Sequence, residues 1–150
     1  MGIKLITENR KAGFHYQFLE RFEAGMVLQG SEVKSLRGGK ANLGDAYAVI
    51  KNGELFLLNC HISPYPPAAS LNHEPLRTRK LLLKKKEIEK LIGGLHEKGL
   101  TLVPTKLYFK EGRAKVELAL AKGKQLFDKR ESLKKKEARR TVARTLKYKR

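Results

Sequence analysis

The chain has 150 residues, with 33 Lys and Arg against 15 Asp and Glu, which gives a formal net charge of +18 at pH 7. This length fits one domain plus a tail, and a hydrophobic fraction of 41% is sufficient for one packed core. So strong a positive charge requires an anionic partner, and nucleic acid is the simplest candidate because phosphate binding releases counterions.

Other features of the composition argue against several classes of protein. A membrane partner is disfavoured because there is no long apolar run and no Trp-rich amphipathic helix. Residues 1–10 lack the apolar stretch and cleavage site of a signal peptide. Cys60 is the single cysteine, so an intramolecular disulfide and a cysteine-rich zinc site cannot form. These features predict a protein of the reducing cytoplasm.

The first half of the chain predicts strands interrupted by one short helix. Residues 18–28 form a predicted strand region that bends at Gly25, and Ser31 is expected to cap a helix that Gly38 and Gly39 stop. Residues 46–50 and 54–58 flank an Asn-Gly pair, which is typical of a tight hairpin turn. The proline-rich segment 61–74 is expected to be an exposed irregular loop.

The second half predicts a helix and a further hairpin. Ile88, Leu91, Ile92 and Leu95 follow helical spacing, Gly93 and Gly94 weaken the pattern, and Gly99 offers a stop. Residues 102–109 and 114–120 are expected to pair through a turn at 110–112, with an edge or a bulge at Pro104. Short strands with an inserted helix predict a mainly β protein, an OB-fold-like small β-barrel with peripheral helices.

The C-terminal tail, residues 122–150, carries thirteen basic and three acidic residues, a net +10 of the chain's +18. Its few large apolar residues do not form the broad stripe of a docked helix. We therefore divide the chain into a body, 1–121, and a basic tail that is disordered when free. The helix-prone composition predicts that the tail folds into a helix on a phosphate surface.

Candidate catalytic and metal-binding residues are sparse. The four histidines lie in separate segments without metal-ligand spacing, and neither a carboxylate pair nor a P-loop is evident. Cys60 and His61 are neighbours, but adjacent residues of a strand point to opposite faces, so Cys60 is expected in the core. The run 37–40, Arg-Gly-Gly-Lys, could contact a phosphate through its backbone. No cofactor, no metal and no enzymatic activity are expected.

Two basic segments remain as candidate contacts. Arg77, Arg79 and Lys80 directly precede three leucines, which would hold their charges at a fixed place on the surface, although ordinary solvated charges would give the same pattern. The charge of the tail favours nucleic acid. RNA is favoured over DNA because no helix-turn-helix, zinc finger or leucine zipper is visible, and the absence of RRM and KH motifs favours recognition of shape and phosphates.

Ordered blocks along nearly the whole chain resemble the small protein B (SmpB) family. They are Asn-Arg-Lys-Ala at 9–12, Phe-Glu-Ala-Gly at 22–25, Gly-Ser-Glu-Val-Lys-Ser-Leu-Arg at 30–37, Gly-Lys-Ala-Asn at 39–42, Arg-Thr-Arg-Lys-Leu-Leu-Leu at 77–83, Ala-Lys-Gly-Lys at 121–124 and Asp-Lys-Arg at 128–130. One departure is that Phe14 stands where family members often have histidine, and the ending, 146–150, matches only loosely.

The resemblance implies an RNA-binding adaptor of bacterial trans-translation. In the family an OB-like barrel binds the tRNA-like domain of transfer-messenger RNA and the tail enters the stalled ribosome, so that the unfinished peptide is tagged for degradation. The implied partners are that RNA, small-subunit RNA at the decoding centre and mRNA channel, and, indirectly through the RNA, alanyl-tRNA synthetase and elongation factor Tu.

The resemblance also implies roles for individual residues. Asn9, Glu23 and Leu82 match positions implicated in holding the RNA, while phosphate contacts would come from Lys34, Arg37, Lys40, Arg77, Arg79 and Lys80. A structural salt bridge is the alternative for Glu23. The implied ribosome-binding residues are Lys122, Gly123, Lys124, Phe127, Asp128, Lys129, Arg130, Lys134, Lys135, Lys136, Arg139 and Arg140.

Two other classes stay open at this point. An ordinary ribosomal or general RNA-binding protein would show the same charge but no preference for a tRNA-like fold. A nuclease would need a metal or acid-base cluster that the sequence does not show.

Overall fold

The computed structural model describes residues 2–96 and 100–123, which form mainly antiparallel β structure. In chain order the elements are β1 (Ile3–Glu8), α1 (Arg10–His15), β2 (Tyr16–Met26), α2 (Gly30–Arg37), β3 (Ala41–Asn42), β4 (Tyr47–Lys51), β5 (Glu54–Leu58), β6 (His61–Ile62), a 3-10 helix (Pro66–Leu71), β7 (Arg79–Leu82), α3 (Lys85–Leu95), β8 (Leu100–Lys110) and β9 (Arg113–Gly123).

Six strands close into a barrel. The large sheet has the order β1-β8-β4-β5-β7-β2-β9, and β9 pairs with β8 as well as with β2. That second pairing closes a ring of β8, β4, β5, β7, β2 and β9, while β1 lies outside the ring along the later half of β8. A closed sheet leaves few unpaired strand edges. The predicted fold class, a small mainly β barrel with short peripheral helices, is confirmed.

Both predicted hairpins are present. The β4–β5 turn places Asn52 and Gly53 at φ values of 53° and 75°, and the β8–β9 turn places Glu111 and Gly112 at 52° and 78°. Positive φ values at both central residues match the right-handed twist of the flanking strands. The pairing of β8 with β9 shifts register between Pro104 and Lys106, which confirms the bulge predicted at Pro104.

The core fills the barrel from alternate residues of each strand. Val116, Leu118 and Leu120 of β9 point inward, where they pack with buried side chains of the other strands such as Leu57 and Leu81. Each such side chain contributes about 1.5–3 kcal/mol when fully buried. Ala119 is buried too, but on the outer face of β9, where α1 covers it. The strand β9 therefore contributes buried residues on both of its faces.

The start of α2 differs from the prediction. Ser31 does not cap this helix, because the helix begins at Gly30 after the cap residue Gln29. Glu32 accepts a hydrogen bond from the backbone N–H of Gln29 at 2.7 Å, which satisfies a donor that the first turn leaves free. Ser31 is instead buried, with its Oγ 2.8 Å from His73 Nδ1. The predicted stop at Gly38 and Gly39 is confirmed.

The segment 61–74 is more ordered than predicted. β6 pairs with β3, and Pro66 begins the 3-10 helix, where its missing N–H costs no hydrogen bond. Asn72 and Tyr65 exchange two hydrogen bonds of 2.8 Å across the segment. The expectation of a purely irregular loop is therefore wrong. The expectation for Cys60 and His61 is confirmed, because Cys60 is buried and His61 is exposed.

The helix α3 follows its predicted spacing and continues through both glycines to Leu95. Leu91 is fully buried against the barrel. A Cβ atom at Gly94 would lie 2.6 Å from Leu120 Cδ2, so a glycine lets the helix approach β9 closely, whereas Gly93 faces open space. The predicted stop at Gly99 lies outside the described residues.

Candidate RNA interface

A buried ion pair joins α2 to the first residue of β7. The Arg79 and Glu32 side chains are both 0% exposed, and Arg79 Nε donates a hydrogen bond to Glu32 Oε2. Arg79 also donates to the Cys60 carbonyl oxygen at 2.6 Å and to the Pro75 carbonyl oxygen at 3.2 Å. The expectation that Arg79 presents its charge on the surface is therefore wrong. Its guanidinium ties two chain segments to α2.

Arg77 shares the same carboxylate from the outer side. Its Nη2 donates to Glu32 Oε1 at 2.6 Å and to the Val27 carbonyl oxygen at 3.3 Å, and 28% of its side chain stays exposed. Burial by itself would raise the pKa of Glu32, but hydrogen bonds from Arg77, the Gln29 backbone and Arg79 lower it below the ordinary value. The trio of two guanidiniums and one carboxylate thus keeps a positive charge at the surface.

Lys80 is the most exposed of the three cations in this segment. It alternates with Arg79 and Leu81 along β7, whose side chains are buried, and its Nζ lies 3.7 Å from Glu54 Oε2. Both partners are about half exposed, so the pair is weak and leaves Lys80 available to a phosphate. Leu82 also faces outward with 52% of its surface exposed, so it does not anchor the core as Leu81 does.

Asn9 is a buried capping residue. Its Oδ1 accepts a hydrogen bond from the Ala12 backbone N–H at 3.2 Å, while its Nδ2 donates to the carbonyl oxygens of Leu43 and Pro104 at 3.2 and 3.0 Å. Both amide hydrogens are thus used within the fold. In this structure Asn9 fixes α1 against the barrel and offers no free donor to a ligand.

Glu23 lies on the outer face of β2 and accepts a hydrogen bond from the Tyr108 hydroxyl at 2.8 Å. Lys110 Nζ lies 3.4 Å from the same carboxylate. The pKa of Glu23 is lowered chiefly by the Tyr108 hydrogen bond; burial, the next largest effect, raises it, and Lys110 lowers it further. A salt bridge is therefore present, and the carboxylate remains ionised and partly exposed at 37%. It has capacity for a further donor.

Three cations lie together at the end of α2 and just after it. Lys34, Arg37 and Lys40 are all exposed, and in the described ranges no acidic side chain pairs with them. Lys34 Nζ lies 5.6 Å from the centre of the Tyr65 ring. These three residues form a cationic patch that we call the α2 patch.

Backbone contact to a phosphate by the glycine run 37–40 is not supported. The N–H groups of Gly38, Gly39 and Lys40 already donate to carbonyl oxygens of α2, at 3.1, 2.9 and 3.1 Å. Any phosphate contact here must therefore come from the side chains.

The first two residues assigned to the tail belong to the last strand. Lys122 and Gly123 lie in β9, where they pair with Gln17 and Tyr16. The other tail residues named above lie outside the described residues. These are Lys124, Phe127, Asp128, Lys129, Arg130, Lys134, Lys135, Lys136, Arg139 and Arg140. His15 ends α1 and is exposed, and its ring meets Phe14 edge-on with centroids 5.0 Å apart.

Three residues that support this surface could not be identified from local sequence signals. Glu32 is buried beneath the surface, and Tyr108 and Lys110 lie far from Glu23 in the chain. Strand alternation places Glu23 and Tyr108 outside the barrel, but no local pattern shows that β2 and β8 flank the same strand, β9. Only the barrel topology brings them together.

Across residues 2–96 and 100–123, no cluster of His, Cys, Asp and Glu could hold a metal ion. None of the helices described above has the length and apolarity needed to cross a membrane. Burial raises the pKa of the Cys60 thiol to about 11, which keeps it protonated and a poor nucleophile at neutral pH.

Comparison with known proteins gives one consistent family. The family model described as SmpB protein matches residues 6–148. The SsrA-binding protein of Geobacter sulfurreducens is 62% identical over 99% of this chain and 97% of its own length. The SsrA-binding protein of Pelotomaculum thermopropionicum is 56% identical over 98% and 96%.

A solved structure agrees with the sequence comparisons. It is described as "tmRNA-SmpB: a journey to the center of the bacterial ribosome", and it matches with a TM-score of 0.68 and 48% identity over 85% of this chain and 93% of the other. The family match spans the barrel, the α2 patch and the exposed Lys80 of β7. On this evidence the chain is a member of the SmpB family.

Proposed function

We propose that this protein binds the tRNA-like domain of transfer-messenger RNA and delivers it to stalled ribosomes in the bacterial cytoplasm. The observation that carries the proposal is the match to proteins named SsrA-binding protein over nearly the full length of both chains. The solved structure that matches this fold joins tmRNA, SmpB and the bacterial ribosome in its description. A net charge of +18 supplies the electrostatic attraction.

The barrel recognises the RNA by shape and by phosphate contacts in this proposal. The α2 patch and Lys80 contact phosphates directly, and Arg77 does so from its exposed side. Arg79 and Asn9 act from beneath the surface, because their polar atoms are engaged within the fold. An ordered set of cations on a rigid barrel can distinguish the geometry of a tRNA-like fold from that of a simple hairpin.

Glu23 and Leu82 contribute contacts of another kind. A carboxylate cannot pair with phosphate, but Glu23 can accept hydrogen bonds from base amino groups or ribose hydroxyls. The exposed Leu82 can pack against a base or a sugar. Phosphate contacts position a protein on RNA without reading its sequence, so these two residues are the ones that add discrimination.

The tail acts on the ribosome in the same proposal. Residues Lys124, Asp128, Lys129 and Arg130 occupy the vacant decoding centre, and Phe127 stacks on a base there. The cations from Lys134 to Arg140 follow the empty mRNA channel as a helix. Alanyl-tRNA synthetase and elongation factor Tu act through the RNA rather than through direct contact with this protein.

A reconstituted translation system tests the adaptor role. Ribosomes are stalled on an mRNA without a stop codon, charged transfer-messenger RNA is added, and tagging of the nascent peptide is measured with and without the protein. We expect tagging to require the full chain. Tagging at the same rate without the protein would contradict the proposal, as would degradation of the RNA by the purified protein with magnesium.

A further inference from the structure

A cavity of about 640 Å³ opens on the outside of the barrel where β9 ends. It lies between α1, the residues just before β4, the start of β8 and the end of β9. The residues that line it include Ala12, Tyr16, Tyr47, Thr101, Val103 and Gly123. We call it the α1 cavity.

One wall of the α1 cavity is apolar. Ala12 and Val103 are buried members of the apolar cluster between α1 and the outer face of the barrel, and Tyr16 packs against this cluster. Tyr47 also contributes to the lining, with 39% of its surface exposed. The cavity thus extends the apolar cluster to the surface, where a further apolar group can pack on it.

The lining also carries one charge of each sign. Asp45 and Lys11 both line the cavity, and both are exposed. Within the described ranges neither of them forms an ion pair. A complementary occupant therefore has a large apolar group with a cation and an anion close to it. A phosphate group is less suitable, because it would meet the carboxylate of Asp45.

The chain itself supplies such a segment directly after the cavity. Gly123 is the last residue of β9 and lines the cavity, and the basic tail continues from it. Leu126 and Phe127 are the one adjacent pair of large apolar residues in the tail sequence, and Lys124 and Asp128 stand close on either side. Four extended residues span at most about 14 Å, and so short a tether gives an effective concentration of roughly a millimolar.

We infer that the start of the tail folds back into the α1 cavity in the free protein, with the Phe127 ring against the apolar wall. Lys124 then lies near Asp45, and Asp128 lies near Lys11. The expectation of a tail that is disordered when free applies in that case only to the residues after Asp128. Docking goes beyond the proposed function, because the ring that stacks on a base of the ribosome in that proposal is held on the barrel beforehand.

Cysteine labelling of the full chain tests this docking. Thr101→Cys places a thiol in the lining, whereas Gln17→Cys places one on the strand at the other side of β9, outside the lining. Cys60 is fully buried and gives an unreactive background. We expect Phe127→Ala to speed maleimide labelling of Thr101→Cys by roughly tenfold and to leave that of Gln17→Cys unchanged. Tyr148→Ala, which removes another aromatic ring of the tail, should change neither rate.

A labelling rate of Thr101→Cys that does not depend on Phe127 would overturn the inference. The same conclusion would follow if only added RNA slowed the labelling, because the cavity would then take a group of the RNA.

A second measurement avoids any change in the cavity itself. The backbone amide resonances of Ala46 and Val103, which both line the cavity, are followed by NMR in the full chain. They should shift with Phe127→Ala and stay in place with Tyr148→Ala, and resonances that ignore both substitutions would contradict the docking. Neither measurement depends on transfer-messenger RNA, so failure of the docking and failure of the proposed function are separate results.

Discussion

At the scale of single residues, the buried carboxylate of Glu32 links α2 to both arginines of the candidate interface. Its carboxylate is shared by the buried Arg79 and the partly exposed Arg77, and it also accepts from the backbone at the start of α2. Removing the charge leaves Arg79 buried without an ionic partner. The cost of breaking a buried pair from one side is about 3–5 kcal/mol.

We therefore expect Glu32→Gln to lower the free energy of unfolding by about 3 kcal/mol, measured by urea denaturation. The matched control is Glu20→Gln, which breaks the exposed pair with Lys90 and should cost less than about 1 kcal/mol. Equal effects of the two substitutions would contradict the role assigned to Glu32.

The same carboxylate predicts a pH dependence. Because the folded pKa of Glu32 lies below its ordinary value of 4.5, the unfolded chain binds this proton more readily. The stabilisation is complete above pH 4.5 and is lost as the pH falls through the lower folded pKa. Denaturation curves between pH 7 and pH 3 should show a smaller loss of stability for Glu32→Gln than for the wild-type protein; parallel losses would count against this explanation.

Sequence reasoning succeeded at this scale where a residue's role depends on its neighbours in the chain. Asn52 and Gly53 form the predicted turn, and Pro104 marks the predicted bulge. It failed for Arg79 and Ser31, whose partners Glu32 and His73 lie more than forty positions away. A basic residue beside leucines has the same local pattern whether it is exposed or paired inside.

At the scale of elements, the contact of α3 with β9 depends on one of two adjacent glycines. Gly94 faces Leu120, while Gly93 faces open space. Helix propensity favours alanine over glycine at both positions by about 1 kcal/mol. The difference in stability between alanine variants at the two positions therefore isolates the packing effect.

We expect Gly94→Ala to destabilise the fold, because the new methyl group displaces Leu120 and overpacking costs about 1–3 kcal/mol. Gly93→Ala should be neutral or stabilising. Thermal unfolding of the two variants measures the contrast, and a Gly94→Ala protein as stable as Gly93→Ala would show that the helix does not approach the strand this closely. The sequence contained both glycines but could not show which one faces the barrel.

The α2 patch gives a prediction about affinity. Replacing Lys34 and Lys40 by glutamine should weaken binding to the tRNA-like domain and lower the salt slope by about two, because each phosphate contact releases close to one counterion. Lys85→Gln with Lys86→Gln removes the same charge from exposed positions of α3 and serves as the control. Equal losses in both double variants would indicate a diffuse effect of net charge instead of a defined patch.

At the scale of the whole molecule, a closed barrel carries the surface that we propose for RNA recognition. The barrel is closed by the pairing of β9 with β8 and β2, and this strand extends to Gly123. The sequence alone predicted the barrel class because alternation and turn residues are local signals. The order of strands was not predictable, since pairings such as β2 with β9 join segments that are far apart in the chain.

We propose that the barrel itself recognises a tRNA-like fold. The most direct measurement is competition binding of the full chain and of a chain cut after Gly123, with the tRNA-like domain of transfer-messenger RNA against an unrelated hairpin of equal length at fixed salt. We predict that both forms prefer the tRNA-like domain to the same degree, although the cut form binds all RNA more weakly. Equal affinity of both forms for the two RNAs would contradict the claim and leave only general RNA binding.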